Sequence, residues 1–131
     1  MSFTTAIATC FSKYATFSGR ASRSEFWWFV LFMSLVFLLA TVVGESLVQS
    51  DGGSEQTPKI LKSVAYLALW LPSLAVGCRR LHDIGRSGWW QLLTFTGIGN
   101  LLLFVWWIFR SDAADNAYGP PPASAALPAA A

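Results

Sequence analysis

Three stretches of this chain carry no charged side chain: Phe26–Val43, Ser63–Cys78 and Trp89–Phe109. Nothing else in the sequence constrains the fold as strongly. A hydrocarbon core of ~30 Å is crossed by about 20 helical residues, with ~17 as the practical minimum. The first and third stretches meet that length, and the second does so from Ile60 if Lys62 extends its ammonium group to the surface. A helix of a soluble domain needs a polar face, and these stretches are apolar all round. Only 12% of the residues are charged and 54% are hydrophobic, whereas soluble domains carry roughly 25% charged residues. The sequence therefore predicts an all-α integral membrane protein. It has three transmembrane helices, at about 26–44, 60–78 and 89–109, in a single membrane domain covering 1–118.

The segment ahead of the first span does not read as a cleaved signal, because its apolar run starts late, is long and is rich in Phe and Trp. Phe3, Ile7, Phe11, Tyr14 and Phe17 recur at helical spacing with polar residues between them, which predicts an N-terminal interfacial amphipathic helix. Ser22-Arg23-Ser24-Glu25 fits a capping box, so the first span should begin near Arg23. Gly44 to Lys59 reads as a loop centred on Asp51-Gly52-Gly53-Ser54. Thr57-Pro58 opens the second helix, which runs to Asp83 with a kink where Pro72 leaves the Ala68 carbonyl unbonded. Gly85 suits the position just past that helix, and Ser87 can cap the next. Gly97-Ile98-Gly99-Asn100 is a weak spot in the third span, and the Ala/Pro-rich tail 119–131 is expected to be disordered.

Trp27-Trp28, Trp89-Trp90 and Trp106-Trp107 fall at the ends of the proposed spans, where indole rings favour the headgroup level. Lys13, Arg20, Arg23, Arg79, Arg80 and Arg86 flank spans one and two on one side, which the positive-inside rule makes cytoplasmic, with the N-terminus. With three spans, the segment after Arg110 lies outside. If Gly97–Asn100 forms a re-entrant hairpin instead, that segment returns to the cytoplasm. The run from Trp89 to Phe109 is too short for two full crossings, which favours three spans.

Chemistry concentrates in Arg79-Arg80-Leu81-His82-Asp83-Ile84-Gly85-Arg86. On a helix Arg79, His82, Asp83 and Arg86 share one face, and Arg20, Arg23 and Glu25 reach the same membrane surface. One reading pairs these charges across helix ends, Glu25 with Arg79 or Arg80 and Asp83 with Arg20 or Arg23. Another makes the arginines a pocket for the headgroup phosphate of an anionic phospholipid. A His beside an Asp also suits acid–base chemistry, but no nucleophile accompanies it, so no enzymatic activity is expected. A metal site of His82 with Glu25 and Asp83 is weaker still. The glycines form no dinucleotide fingerprint, and no cofactor is implied. Nine basic against seven acidic residues exert little pull on nucleic acid.

Gly19-Arg20, Arg23, Glu25-Phe26-Trp27, the string from Arg79 to Trp90, and Tyr118-Gly119-Pro120 resemble the YhaH-like family. These are small bacterial inner-membrane proteins classed as a domain of unknown function, number 805. The resemblance covers roughly the first 120 residues. It departs at Asp112–Asn116, where that family usually has a glycine ahead of the asparagine, and in the extension beyond Pro120. It implies a bacterial inner (plasma) membrane location and no established activity. The expected function is structural or accessory, through anionic lipid, a partner membrane protein or a second copy of the chain. The alternative is an oligomeric transporter or channel subunit, and an enzyme acting on lipid phosphates ranks third.

Overall fold

The computed structural model describes residues 1–50 and 52–123. Two 27-residue helices, α2 (Arg23–Gln49) and α3 (Thr57–Asp83), form its frame, preceded by a short α1 (Phe3–Ser12). Each long helix rises about 40 Å, enough to cross a bilayer. α2 begins where the cap foretold: the Ser22 hydroxyl accepts the Glu25 N–H at 3.1 Å. It does not end at Gly44 as expected, but continues five residues further to Gln49. Gly44 is no breaker here because it is a contact point. A Cβ at Gly44 would lie 2.6 Å from Pro58 Cα, so glycine lets the two helices meet closely beside their connection.

α3 ends at Asp83 in a Schellman arrangement. Gly85 has φ +75°, its N–H reaches the His82 carbonyl at 3.0 Å, and the Arg86 N–H reaches that of Leu81 at 2.9 Å. Pro72 sits inside α3. Its ring nitrogen cannot serve the Ala68 carbonyl, and Tyr14, just past α1, donates its hydroxyl to that oxygen. α1 meanwhile lies across the start of α2: Phe3 packs edge-on against Trp28, and Phe11 against Phe29 and Phe32.

The stretch expected as a third continuous span is instead a hairpin. A 3-10 helix, Gly88–Thr96, is followed by α4, Gly99–Ile108. These rise roughly 18 Å and 15 Å, about half the hydrocarbon thickness each. The reversal is made at Gly97, whose φ of +69° and ψ of −72° form a tight γ-turn, with the Ile98 N–H 2.8 Å from the Thr96 carbonyl. The Thr96 hydroxyl donates to Leu93 O at 2.7 Å and accepts the Gly99 N–H at 3.0 Å. Asn100 donates to the Thr94 carbonyl at 3.2 Å. The polar groups of the turn are thus served locally, while Phe95 and Ile98 around it stand 87% and 79% exposed. α4 then returns to where the hairpin began, so that the Asp112 N–H donates to the Asp83 carbonyl at 3.0 Å.

Apolarity of the 89–109 window describes its surroundings, and both a span and a hairpin satisfy it. At the start of the proposed disordered tail, Asn116 and Gly119 bridge each other at 3.1 Å in both directions. Residues 124–131, and Asp51 of the expected flexible loop, lie outside the described residues.

Removing the Tyr14 hydroxyl should orphan the Ala68 carbonyl. Tyr14→Phe is expected to destabilise the fold by about 1–3 kcal/mol. Pro72→Ala restores the helical N–H and should reduce that cost, giving a non-additive cycle in thermal melts of the purified protein. Additive effects would show that Tyr14 stabilises in another way.

Candidate functional site

The most polar part of the molecule is also its most buried. Arg20, Glu25, Arg79, Arg80 and Asp83 are all buried, the last three being 0% exposed. They converge because α2 starts, and α3 ends, at the same end of the antiparallel pair. The link just before α2 is held there as well, by the Ala21 N–H on the Arg79 carbonyl at 3.0 Å.

Asp83 is the centre. Its Oδ1 accepts from Arg20 Nε at 2.9 Å and its Oδ2 from Arg80 Nη1 at 2.5 Å; the Ser111 hydroxyl also donates to Oδ2. Glu25 pairs with Arg79, Oε1 to Nη1 at 2.5 Å. Its carboxylate therefore completes an ion pair across the helices, not the second half of the capping box, because a charged donor binds a carboxylate more strongly than an amide does. Cys10 of α1 approaches the same Oε1 at 3.8 Å. Burial first, and the neighbouring carboxylate next, push its thiol up to about 12, so it stays protonated at neutral pH. Arg79 is the least satisfied member, since its Nε and Nη2 have no partner among the described residues.

Much of the arginine capacity is spent on main-chain carbonyls. Arg20 Nη2 donates to Asp112 O at 2.5 Å and Nη1 to Ala114 O at 2.9 Å and Gly119 O at 3.3 Å. Arg80 donates to Trp107 O at 3.2 Å and to Phe109 O, and Arg23 to Ile108 O at 3.4 Å. Three arginines therefore cap the carbonyl end of α4 and the segment behind it, where positive charge also complements the helix dipole.

The remaining members of the string behave differently. Arg23 and Arg86 are exposed, and the Arg86 guanidinium lies 4.2 Å over the Trp106 ring, a cation–π contact. His82 hydrogen-bonds Gly19 O through Nδ1 at 3.0 Å, and its ring stacks on Tyr118 at 3.9 Å, 3° from parallel. Asn116 ties the tail to α3 by donating to the His82 carbonyl at 2.9 Å. Of the eight residues expected to act together, Arg20, Glu25, Arg79, Arg80 and Asp83 form the buried ion-pair cluster. His82 lies beside it, and Arg23 and Arg86 face outward.

A headgroup pocket at Arg79 and Arg80 does not form, because both side chains are sealed inside and no phosphate can reach them. The contacts of Ser111, Asp112, Asn116 and Tyr118 with the end of α3 and Arg20 were not expected from the sequence. Only Tyr118-Gly119-Pro120, within the family-like string, hinted that the tail takes part.

Arginines bury while leucines such as Leu39 and Leu67 stand exposed. Only 11% of the most apolar window of α2 is covered by the rest of the chain. Water would not tolerate that inversion, and it defines a helical membrane protein. The chain belongs to the family described as "Protein of unknown function (DUF805)", which matches residues 14–120. Inner membrane protein YhaI of Escherichia coli (strain K12) is 40% identical over 111 residues, covering 84% of this chain and 88% of that protein. Inner membrane protein YhaH of the same organism is 34% identical, covering 84% and 89%. No solved structure matches the chain. The relatives and the inverted burial together place this protein in the bacterial inner membrane.

Glu25→Gln leaves the Arg79 charge buried without its counter-ion, which typically costs about 3–5 kcal/mol. The double variant Glu25→Gln/Arg79→Met should recover part of that loss in thermal melts. A double variant no more stable than Glu25→Gln would remove the ion pair from the account of stability.

Proposed function

We propose that this chain is a small structural or accessory component of the inner membrane, without catalytic activity of its own. In this reading the buried ion pairs are a tie that fixes the helices and hairpin. The observation that carries it is Asp83, fully buried and already holding two arginines and a serine. A general acid or base must reach its substrate, and Asp83 has no such access. Arg79 and Arg80 are equally sealed. A proton relay or ion carrier uses ionisable groups within its spans, whereas these gather at one end.

The proposed topology has two crossings, α2 and α3, with α1 at the interface and the Gly88–Ile108 hairpin inserted to about half depth. The locally paired turn at Gly97 and its apolar surround suit a hairpin tip in hydrocarbon, where unpaired backbone groups are costly. Lys13, Arg20, Arg23, Arg79, Arg80, Arg86 and Arg110 belong to the tied end, and only Lys59 and Lys62 to the other. The positive-inside rule then makes the tied end cytoplasmic, with the N-terminus and the segment after Arg110.

Contact with anionic phospholipid shifts, in this reading, from the sealed arginines to Arg23. A cleft of about 420 Å³ joins Arg23 and Ser24 to Trp27, Trp28, Leu31 and Ile108. A guanidinium at the headgroup level, with aromatic and aliphatic side chains beside it, suits a phosphate and the start of its acyl chain.

In intact cells, cysteines at Ser18, Ser87 and Ala117 should resist membrane-impermeant reagents while one at Ser54 reacts. Labelling of Ala117 from outside would restore a third full crossing. Arg23→Gln should cut co-purified phosphatidylglycerol several-fold with little change in melting temperature, as expected of an exposed charge. Unchanged lipid in Arg23→Gln would rule out this contact and leave the structural role to stand on the ion pairs.

A further inference from the structure

On the side of α3 facing the 3-10 helix, apart from the ion pairs, lies a groove of about 760 Å³. That is within the roughly 300–1,000 Å³ range of small-molecule sites. One wall is a single row of α3 at four-residue spacing: Tyr66, Trp70, Leu74, Cys78 and His82. From first to last the row rises roughly 24 Å. The opposite wall comes from the hairpin, including Gln91, Leu92 and Phe95. Polarity is graded along this length. His82, Ser87 and Tyr118 gather at the end level with the ion pairs, and Leu74, Trp70, Leu92 and Phe95 line the part beyond. Among the described residues, no Lys, Arg, Asp or Glu lines the groove.

The imidazole sets the chemistry of the polar end. His82 Nδ1 lies 3.0 Å from the Gly19 carbonyl, and a carbonyl only accepts, so Nδ1 carries the hydrogen. In the neutral ring Nε2 is then an acceptor. It points along the row toward Cys78, whose Sγ is 3.6 Å away and also lies 3.6 Å from the Phe17 carbonyl. A thiol is a weak donor, so Nε2 lacks a strong partner. Stacking on Tyr118 at 3.9 Å fixes the ring in this orientation.

We propose that the groove holds a membrane lipid with an uncharged, hydroxyl-bearing head, its hydroxyl donating to His82 Nε2 and its hydrocarbon chain lying along Leu74 and Trp70. A phosphate head is disfavoured, because the lining holds no cation to offset the desolvation of its charge. A diacylglycerol and a polyprenol share the required chemistry, and binding distinguishes them.

Full-length protein in mild detergent is titrated with dioleoylglycerol, with its O-methyl ether, with a polyprenol and with dioleoylphosphatidylglycerol, and complexes are read by native mass spectrometry. One of the two hydroxyl lipids should bind saturably. If it is dioleoylglycerol, its methyl ether should bind about tenfold more weakly, the scale of one hydrogen bond. Leu74→Trp and Leu92→Trp, which fill the groove from opposite walls, should weaken the same lipid by a similar factor. Both variants should leave phosphatidylglycerol at the Arg23 cleft unaffected, and Arg23→Gln should do the reverse. Failure of both hydroxyl lipids to saturate overturns the proposal. So does equal binding of dioleoylglycerol and its methyl ether where dioleoylglycerol is the bound lipid, and so does full affinity in a filled variant. A dimer that Leu74→Trp abolishes would assign the groove to a second copy and also overturn it.

Discussion

One carboxylate organises this molecule. Asp83 ends α3, is fully buried, and accepts from Arg20 on one oxygen and Arg80 on the other. A buried carboxylate is costly unless paired, and two guanidiniums pair this one. Each of those arginines has donors to spare, and the surplus reaches main-chain carbonyls in the last turn of α4 and beyond it. Asp83 thereby positions two cations that in turn hold the end of α4 and the segment from Phe109 to Gly119. Ion pairs of this kind contribute weakly to net stability compared with a well-packed apolar core. What they fix here is geometry: Arg20, Glu25, Arg79, Arg80 and Asp83 join the start of α2 to the end of α3.

The same logic of local satisfaction recurs where the helices break. Pro72 frees a carbonyl inside α3, and Tyr14 arrives from another element to serve it. Gly97 reverses the hairpin, and Thr96 and Asn100 serve the groups exposed by the turn. In a membrane no solvent stands ready to complete such bonds, so each irregularity carries its own partner. Gly77 leaves room for the end of the Gln91 side chain, which reaches over α3 from the hairpin.

Both starts and the end of α3 were legible, from the Ser22 cap, Thr57-Pro58 and Gly85, whereas the end of α2 was not, because Gly44 read as a breaker and is a helix contact. The partners of Glu25 and Asp83 were narrowed to two choices each, because antiparallel helices bring one start and one end together. The hairpin was not legible in the same way. Gly97 marked a weakness, but Trp89–Phe109 is equally apolar whether it crosses or turns back. Tyr14 and the tail were missed for a different reason. Arg20 binds the carbonyls of Asp112, Ala114 and Gly119, and a carbonyl has no signature in the side-chain alphabet. Only the fold reveals which of them fall within reach.

The separation of these partners along the chain has a consequence for biogenesis. Arg20 lies 63 residues from Asp83 and 92 to 99 residues from the carbonyls of Asp112 and Gly119. α2 and α3 are apolar enough to enter the bilayer as they are made, but the tie cannot close until translation has passed Gly119. Long-range closure of this sort is a late and slow event in folding. A chain truncated before Asp112 leaves Arg20 without three of its five acceptors and, if cut within the hairpin, Arg80 without α4. The short polar segment after α4 thus closes the tie last, once both long helices and the hairpin have been made.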